Sequence, residues 1–596
     1  MFRLDAAPTL DSKASQIETS TDKSPASAPA QAMRPAWIRF AFPSAADLIF
    51  VILLAAMTIG LLAQRLLGDA GIGWHIRNGQ QILSRHSVTR IDPFSAIMSG
   101  HKWYAWEWLY DLKVAAIHDW FGLNGVVLFT AVIIAATFAL ALRLSLRRGA
   151  DLPAAVVLLA LSLGASTIHL LARPHVLSWL FTVIWFQILD DSEAQDPAKR
   201  RRLWGLPGLM LLWANLHGGF VLGFVLLGLY FLGATIRYFR CPDNQMREGL
   251  AGWMRELGMV TAASLLASLI NPYGYELHAH VFQYLSNRWL MNHIDEFLSP
   301  NFHGVAQQCF VLLLLITLGG LAVVRTKPPL SRVFVLLFAA YSGLYASRSL
   351  PVSSLLLMLI VSPLLSQAVT ETRANPELPA RLRAWLSRWE SLAARMGRAE
   401  VQLRGHLWPA AAIVLGTLIC AHQGKLGSHR WMDAHFDAQH FPVEAAEVIA
   451  QRGIRDPIFS LDSWGGYLIY RLYPQIRVFV DDRHDLYGEE FLKTYLQTVR
   501  LTPEWDNLLN EKRVDWVLAP AESPLANMLV QTSRWETVHR DGTAVLLRRK
   551  PRPRPQPNGG PHIHSGKGKA VSRGQECFGE VDGTTGSRAL PGHATS

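Results

Sequence analysis

Residues 68–111 read GDAGIGWHIRNGQQILSRHSVTRIDPFSAIMSGHKWYAWEWLYD. This stretch lies between two apolar runs, each long enough to cross a bilayer. It carries Asp69, His75, Arg77, Asp92 and Glu107 among Trp74, Trp103, Trp106 and Trp108. A tryptophan-rich polar loop following a first membrane span is expected at the headgroup boundary, where indole rings settle. Its titratable groups make it the expected mouth of a site at the membrane surface.

The composition agrees with a membrane protein. Of 596 residues, 50% are hydrophobic and only 17% charged, against about 25% in soluble domains. The net charge of +11 does not point to nucleic acid, because the basic residues sit in short loops between apolar runs, where they encode topology. Four scattered cysteines, Cys241, Cys309, Cys420 and Cys577, offer neither a CxxC pair nor a disulfide framework.

Apolar runs of spanning length recur near 45–65, 124–143, 152–171, 175–190, 203–215, 218–236, 256–271, 306–324, 331–347, 350–367 and 406–422, about eleven in all. Arg143, Arg147, Arg148, Lys199–Arg202, Arg237, Arg240 and the arginine-rich stretch 366–405 fall on one side. The positive-inside rule makes that side cytoplasmic. The expected plan is a disordered cytoplasmic leader at 1–44 and a transmembrane region at 45–424, with the first outside loop at 67–123. An extracytoplasmic α/β domain at 440–548 and a disordered Pro- and Gly-rich tail at 549–596 follow. Strands are expected at Pro457–Leu461, Arg477–Asp481, Asp515–Ala519 and Thr543–Leu547. Residues 380–400, with Trp385, Trp389 and Leu392 between arginines, are expected to form an amphipathic helix on anionic lipid.

With this orientation, polar groups from five outside connections gather on one side. They are Asp69 to Glu107, then Arg173 and His175, then Asn215 and His217, then the stretch from Asn271 to Glu296, and last Arg348. Such a set is expected to converge on one extracytoplasmic cavity. Arginine forks there would take phosphate, and a carboxylate would remove a proton from an acceptor hydroxyl. With no GxxxxGK[ST] motif in the chain, an activated sugar carried on a lipid phosphate is the donor this chemistry fits.

The acidic residue after the first span, the first loop DAGIGWHIRNGQQIL…RIDPFS…WYAWEWLYD and the many spans ending in an external α/β domain resemble bacterial members of the GT-C class. These are polyprenyl-phosphate-dependent membrane glycosyltransferases. The segment IFSLDSWGGYLIYRLYPQIRVFVDD resembles the oligosaccharyltransferase catalytic subunit around its WWDYG signature, but lacks the second Trp and the Asp after it.

The resemblance implies a bacterial inner-membrane, multi-pass, GT-C-like enzyme that moves a sugar from a polyprenyl-phosphate donor to a glycan, lipid or protein acceptor. Asp69 matches the acidic residue that serves the class as base or metal ligand. His75 and Glu107 would complete the catalytic set. Arg77, Arg173, His175, His217 and Arg348 would hold donor phosphate, and Trp464, Tyr467 and Asp482 the acceptor. No metal site is assigned, because the Asp-X-Asp pair of a metal-dependent member is missing from the second outside loop. A divalent cation, Mg or Mn, stays open through the loop carboxylates. Two other readings also stay open: a transporter or flippase for a lipid-linked glycan, and a non-catalytic scaffold of envelope glycan assembly.

Overall fold

The computed structural model describes residues 40–60, 62–194, 196–403 and 405–551. The expected disorder of the leader and tail therefore falls almost wholly outside the described residues. Each expected span lies on a helix. Five helices are long and apolar enough to cross a membrane: Trp108–Arg147, Leu152–His169, Gly218–Arg240, Val305–Val323 and Ser347–Arg373. These make the chain a multi-pass membrane protein. Ala45–Thr58, Leu330–Tyr345 and Leu407–Ala421 are apolar but shorter. The other expected spans fall on helices that are short, such as Leu206–Leu216, or carry charge at one end, such as Asn244–Ser268.

Local chemistry sets the helix limits. Ser44 and Asp47 form a reciprocal capping box at the start of Ala45–Thr58. Asp151 caps Leu152–Ser166 ahead of a first-turn proline. Gly122, at φ 61°, breaks the long Trp108–Arg147 helix, so residues 108–121 form a separate piece before the apolar run. Trp179, Trp185, Trp213 and Trp253 lie fully inside the helical layer. Of these indole N–H groups, Trp213 donates to Ser178 Oγ at 2.7 Å and Trp253 to Ser192 Oγ at 3.1 Å, while that of Trp185 has no partner among the described residues.

The C-terminal segment holds a four-stranded sheet in the order Ile458–Phe459, Trp516–Pro520, Ala544–Arg549, Trp535–Arg540; the first pair is parallel and the others antiparallel. The stretch Arg477–Asp481 makes only single bridges, because Val478 divides its pairing. It bridges Ile458 on one side and Ser95 of the first loop on the other. Backbone bonds from Val478 N to Phe94 O at 3.0 Å, and from Ala96 N to Val478 O at 2.8 Å, tie the loop to the C-terminal segment.

Within the first loop, Gly71–Arg85 is a helix that packs on Asp462–Leu472. Glycines permit the close approach. A Cβ at Gly73 would lie 2.2 Å from Gly466 O, and one at Gly466 would lie 2.3 Å from Ala70 O. A Cβ at Gly465 would lie 2.4 Å from Val480 O. The Gly-Gly of DSWGGY is therefore the contact surface of a helix.

Candidate active site

A cavity of about 990 Å³ opens where the first loop, the helix connections and the C-terminal segment meet. All five of the connections expected to converge contribute to its lining, including Asp69, Glu107, Arg173, His217, Glu296 and Arg348.

Its most charged feature is a three-residue bridge. The Arg173 guanidinium lies 3.3 Å from Asp69 Oδ2 and 2.9 Å from Asp482 Oδ2. Asp69 Oδ1 also accepts the Gly71 backbone N–H at 2.7 Å, at the N-terminal end of Gly71–Arg85, where a negative charge is favoured. Asp482 Oδ1 accepts the Trp74 indole N–H at 2.9 Å. A side chain at Gly71 would meet Asp482 Oδ2 at 2.7 Å and Asp69 Oδ1 at 2.8 Å, so its absence makes room for the bridge. Burial pushes the Asp482 carboxyl up to about 6, with Arg173 pulling it down and Asp69 adding to the rise. Burial works against the Arg173 charge, but Asp69 and Asp482 together raise its pKa above the ordinary value.

A second pair is Arg348 and Glu296, 3.2 Å apart, with the guanidinium 4.4 Å from the Phe297 ring centroid. Burial opposes ionisation of Glu296, yet Arg348 and Arg173 bring it down to about 2. A third group is Glu107, whose oxygens face His75 Nε2 at 3.7 Å and His217 Nε2 at 3.6 Å.

A buried ionic knot, whose Arg483 is itself among the lining residues, forms part of the cavity wall. Arg483 reaches Asp481 at 2.6 Å and Asp92 at 2.8 Å, and lies 4.5 Å from the Trp103 ring centroid. Asp481 Oδ2 also accepts the Tyr487 hydroxyl at 2.9 Å. Removing a guanidinium from two fully buried carboxylates is costly, so this knot fixes the loop against the segment that carries Asp482.

Several expected site residues are placed elsewhere. Arg77 does not line the cavity; its Nε donates to the Tyr470 carbonyl at 2.9 Å, and its Nη1 to Gln80 Oε1 at 3.0 Å. It holds helix to helix and is not available to phosphate. His75 is fully buried behind the wall, with Nδ1 2.6 Å from Asp111 Oδ1. Trp464 donates its indole N–H to His440 O at 2.9 Å, and Tyr467 packs on Phe436 and Phe441, so both belong to the core. Of the three expected acceptor residues only Asp482 lines the cavity. His175 lines it too, its Nε2 donating to His169 O at 2.9 Å.

The sequence reading gave no role to Asp111, Arg483, His484 or Asp485. The charged run DDRHD after the apolar RVFV was the available signal for the last three. His484 pairs with Asp462 at 2.9 Å and Asp485 with His280 at 3.0 Å.

Two of the three carboxylates through which a divalent cation stays open, Asp69 and Asp92, are paired with guanidinium groups, while Glu107 faces His75 and His217. The cavity's adjacent carboxylates, Asp69 and Asp482, already share a guanidinium, and a metal there would displace Arg173. Asp92 is spent on Arg483 and on the backbone N–H groups of Phe94 and Ser95. Among the described residues, one other cluster, Glu444, His539 and Asp541, brings ligand atoms within 4.8 Å of one another; none of the three lines the cavity.

No family model matches the chain, and no curated protein matches it. Among solved structures it is similar to the Archaeoglobus fulgidus oligosaccharyltransferase tethered with an acceptor peptide containing the NVT sequon, at TM-score 0.46 and 11% identity over 80% of this chain and 69% of that one. It is similar to the same organism's AglB in complex with an inhibitory peptide and a dolichol-phosphate, at TM-score 0.44 and 11% identity over 80% and 69%. It is also similar to ArnT from Cupriavidus metallidurans bound to undecaprenyl phosphate, at TM-score 0.42 and 13% identity over 84% and 96%.

Proposed function

We propose that this chain is a membrane glycosyltransferase of the GT-C type, which moves a sugar from a polyprenyl-phosphate donor to an acceptor on the extracytoplasmic face of a bacterial inner membrane. The observation that carries the reading is the bridge Asp69–Arg173–Asp482. Residues far apart in the chain place two carboxylates on one guanidinium, within a cavity that Arg348 also lines.

In this reading Asp69 is the base. Arg173 holds it in place, and it takes the proton of the acceptor hydroxyl as the oxygen attacks the anomeric carbon. Arg173 and Arg348 face the donor phosphate, whose leaving oxygen gains charge as the glycosidic bond breaks. Arg348 is one-third exposed and, among the described residues, ion-paired to Glu296 alone, so phosphate can compete for it. Asp482 stands where an acceptor would enter beside Asp69.

The test is transfer from a radiolabelled polyprenyl-phosphate sugar by the purified full chain in proteoliposomes. Asp69→Asn is expected to lower turnover by on the order of a hundredfold or more. Wild-type turnover in that variant removes Asp69 from the mechanism, and absence of transfer by the wild type with any such donor rejects the function.

A further inference from the structure

Glu107 is held between two imidazoles whose protons are set from behind. His217 Nδ1 accepts the Gly219 backbone N–H at 3.0 Å and lies 2.7 Å from Ser178 Oγ. That hydroxyl oxygen already accepts the Trp213 indole N–H, so its own proton is free for His217 Nδ1. Nδ1 is therefore a bare acceptor, and the ring proton is on Nε2, facing Glu107 Oε1 at 3.6 Å.

His75 is arranged the opposite way. Its Nδ1 lies 2.6 Å from Asp111 Oδ1, while Asp111 Oδ2 accepts from Asn78 Nδ2 at 2.6 Å. Burial raises the Asp111 carboxyl, the Asn78 amide lowers it and a charge on Glu107 would raise it further, so the two acids do not ionise together. With the proton on Glu107, Asp111 is the carboxylate that accepts a hydrogen bond from Nδ1–H, which leaves Nε2 with a lone pair. That Nε2 is buried with no hydrogen-bond partner among the described residues, and it faces Glu107 Oε2 at 3.7 Å. One glutamate oxygen thus meets an N–H donor and the other a base without a proton. Only the protonated carboxyl satisfies both. Both contacts are longer than a hydrogen bond, and catalytic pairs of this kind commonly tighten when substrate binds.

We propose that Glu107 is the general acid of the transfer reaction and that His75, oriented by Asp111, is its positioning residue. The inference rests on the sugar-transfer reading above. As the acceptor oxygen bonds to the anomeric carbon, the bond from that carbon to the phosphate oxygen breaks and its electron pair stays on the phosphate. The acceptor proton passes to Asp69, and the Glu107 proton passes to the phosphate oxygen. The Glu107 carboxylate then faces the lone pair of His75 Nε2, an arrangement that favours reprotonation; Asp69 gives its proton to solvent and Glu107 takes one from solvent, so the cycle closes with no net proton change in the enzyme.

The surrounding charges agree with an acid. Burial raises the Glu107 carboxyl to about 8; Arg173 and Arg348 pull it down, while Asp485 and Asp482 push it up. Burial holds His75 neutral, aided by Arg173, His217 and Arg483. Burial, with Arg348 and Arg173, brings His217 down to about 3.

Infrared difference spectra of the full chain in nanodiscs, recorded across pH, test the protonation state without any assay of turnover. A protonated-carboxyl band is expected at pH 7, titrating near pH 8 and absent from Glu107→Gln. The transfer rate of the wild type is expected to fall above pH 8. Glu107→Gln is expected to be slower by on the order of a hundredfold and flat over that limb. His75→Gln is expected to slow transfer less than Glu107→Gln and, unlike it, to keep the limb, moved to lower pH.

A wild-type spectrum without the band overturns the inference. So does a Glu107→Gln enzyme with the wild-type rate and profile. Absence of wild-type transfer with the band present rejects the transfer reading, and the acid's role falls with it; loss of the band with transfer intact overturns this inference alone.

Discussion

Adding one methyl group at Gly466 tests how the site is assembled. A Cβ there would lie 2.3 Å from Ala70 O and 2.6 Å from Ala70 C, and one at Gly73 would lie 2.2 Å from Gly466 O. Carbon–oxygen contacts settle at about 3.3 Å or beyond, so either alanine forces Gly71–Arg85 and Asp462–Leu472 apart by about 1 Å. Those helices bear the two sides of the bridge, since Asp69 and Ala70 lead into the first, while Asp481 backs the second at Gly465. The Arg173–Asp482 contact of 2.9 Å would then stretch beyond hydrogen-bonding range. Overpacking of this kind costs about 1–3 kcal/mol of stability, and a 1 Å misplacement at a reacting centre costs on the order of a hundredfold in rate. Gly466→Ala and Gly73→Ala are therefore expected to lose transfer far more than they lose folding, read as turnover in proteoliposomes beside thermal midpoints in detergent. Gly228→Ala is the control, because a Cβ there meets nothing within 4 Å. Wild-type turnover and midpoints in both site variants would refute the reasoning, as would equal damage from Gly228→Ala.

Arg483→Leu leaves Asp92 and Asp481 buried without their cation and is expected to cost about 3–5 kcal/mol, loosening the first loop from the C-terminal segment; hydrogen exchange of residues 90–103 and 477–485 reads this, and unchanged protection there contradicts it. Glu107 has its pKa raised by folding from 4.5 to about 8, so its contribution to stability is complete below pH 4.5 and is lost as pH rises through 8. Glu107→Gln does not titrate, so its stability relative to wild type is expected to climb between pH 5 and pH 8, by at most about 1.4 kcal/mol per unit; a pH-independent difference in denaturation midpoint refutes this. Arg77→Met is expected to leave the donor KM unchanged while lowering the thermal midpoint, because the guanidinium serves the Tyr470 carbonyl; a tenfold rise in KM would return Arg77 to the phosphate.

The helices were legible in the sequence because hydropathy and caps are local. Each apolar run from 45 to 422 became a helix, and the polar connections between them meet at one cavity. Which polar residue faces that cavity was not legible. Arg77 and Arg173 look alike in sequence, and only the packing of Gly71–Arg85 against Asp462–Leu472 directs one to a carbonyl and the other to two carboxylates. Trp464 and Tyr467 drew attention as aromatics beside Gly-Gly, yet the glycines are the informative residues, through contacts with Ala70 and Gly73 roughly 400 positions away in sequence. Strand Trp535–Arg540 escaped because WETVHR is mostly polar and half of it is exposed, as suits the edge of a sheet.

Arg173 belongs to neither segment that carries its carboxylates, and this has an energetic consequence. Asp69 reaches it from the first loop and Asp482 from the C-terminal segment, while the two segments are joined separately by the Arg483 knot and by the glycine contact. Burial and the Asp69 charge raise the cost of ionising Asp482, and Arg173 offsets part of it. Removing Arg173 therefore does more than delete a phosphate contact, because it leaves two nearby carboxylates to repel each other. Asp482→Asn in the same chain relieves that repulsion. A double-mutant cycle over Arg173→Leu and Asp482→Asn is expected to show the pair losing less stability than the sum of the singles, by about 0.5–3 kcal/mol. Strict additivity would mean that the guanidinium does not bridge the carboxylates, and the shared site would then lose its physical basis.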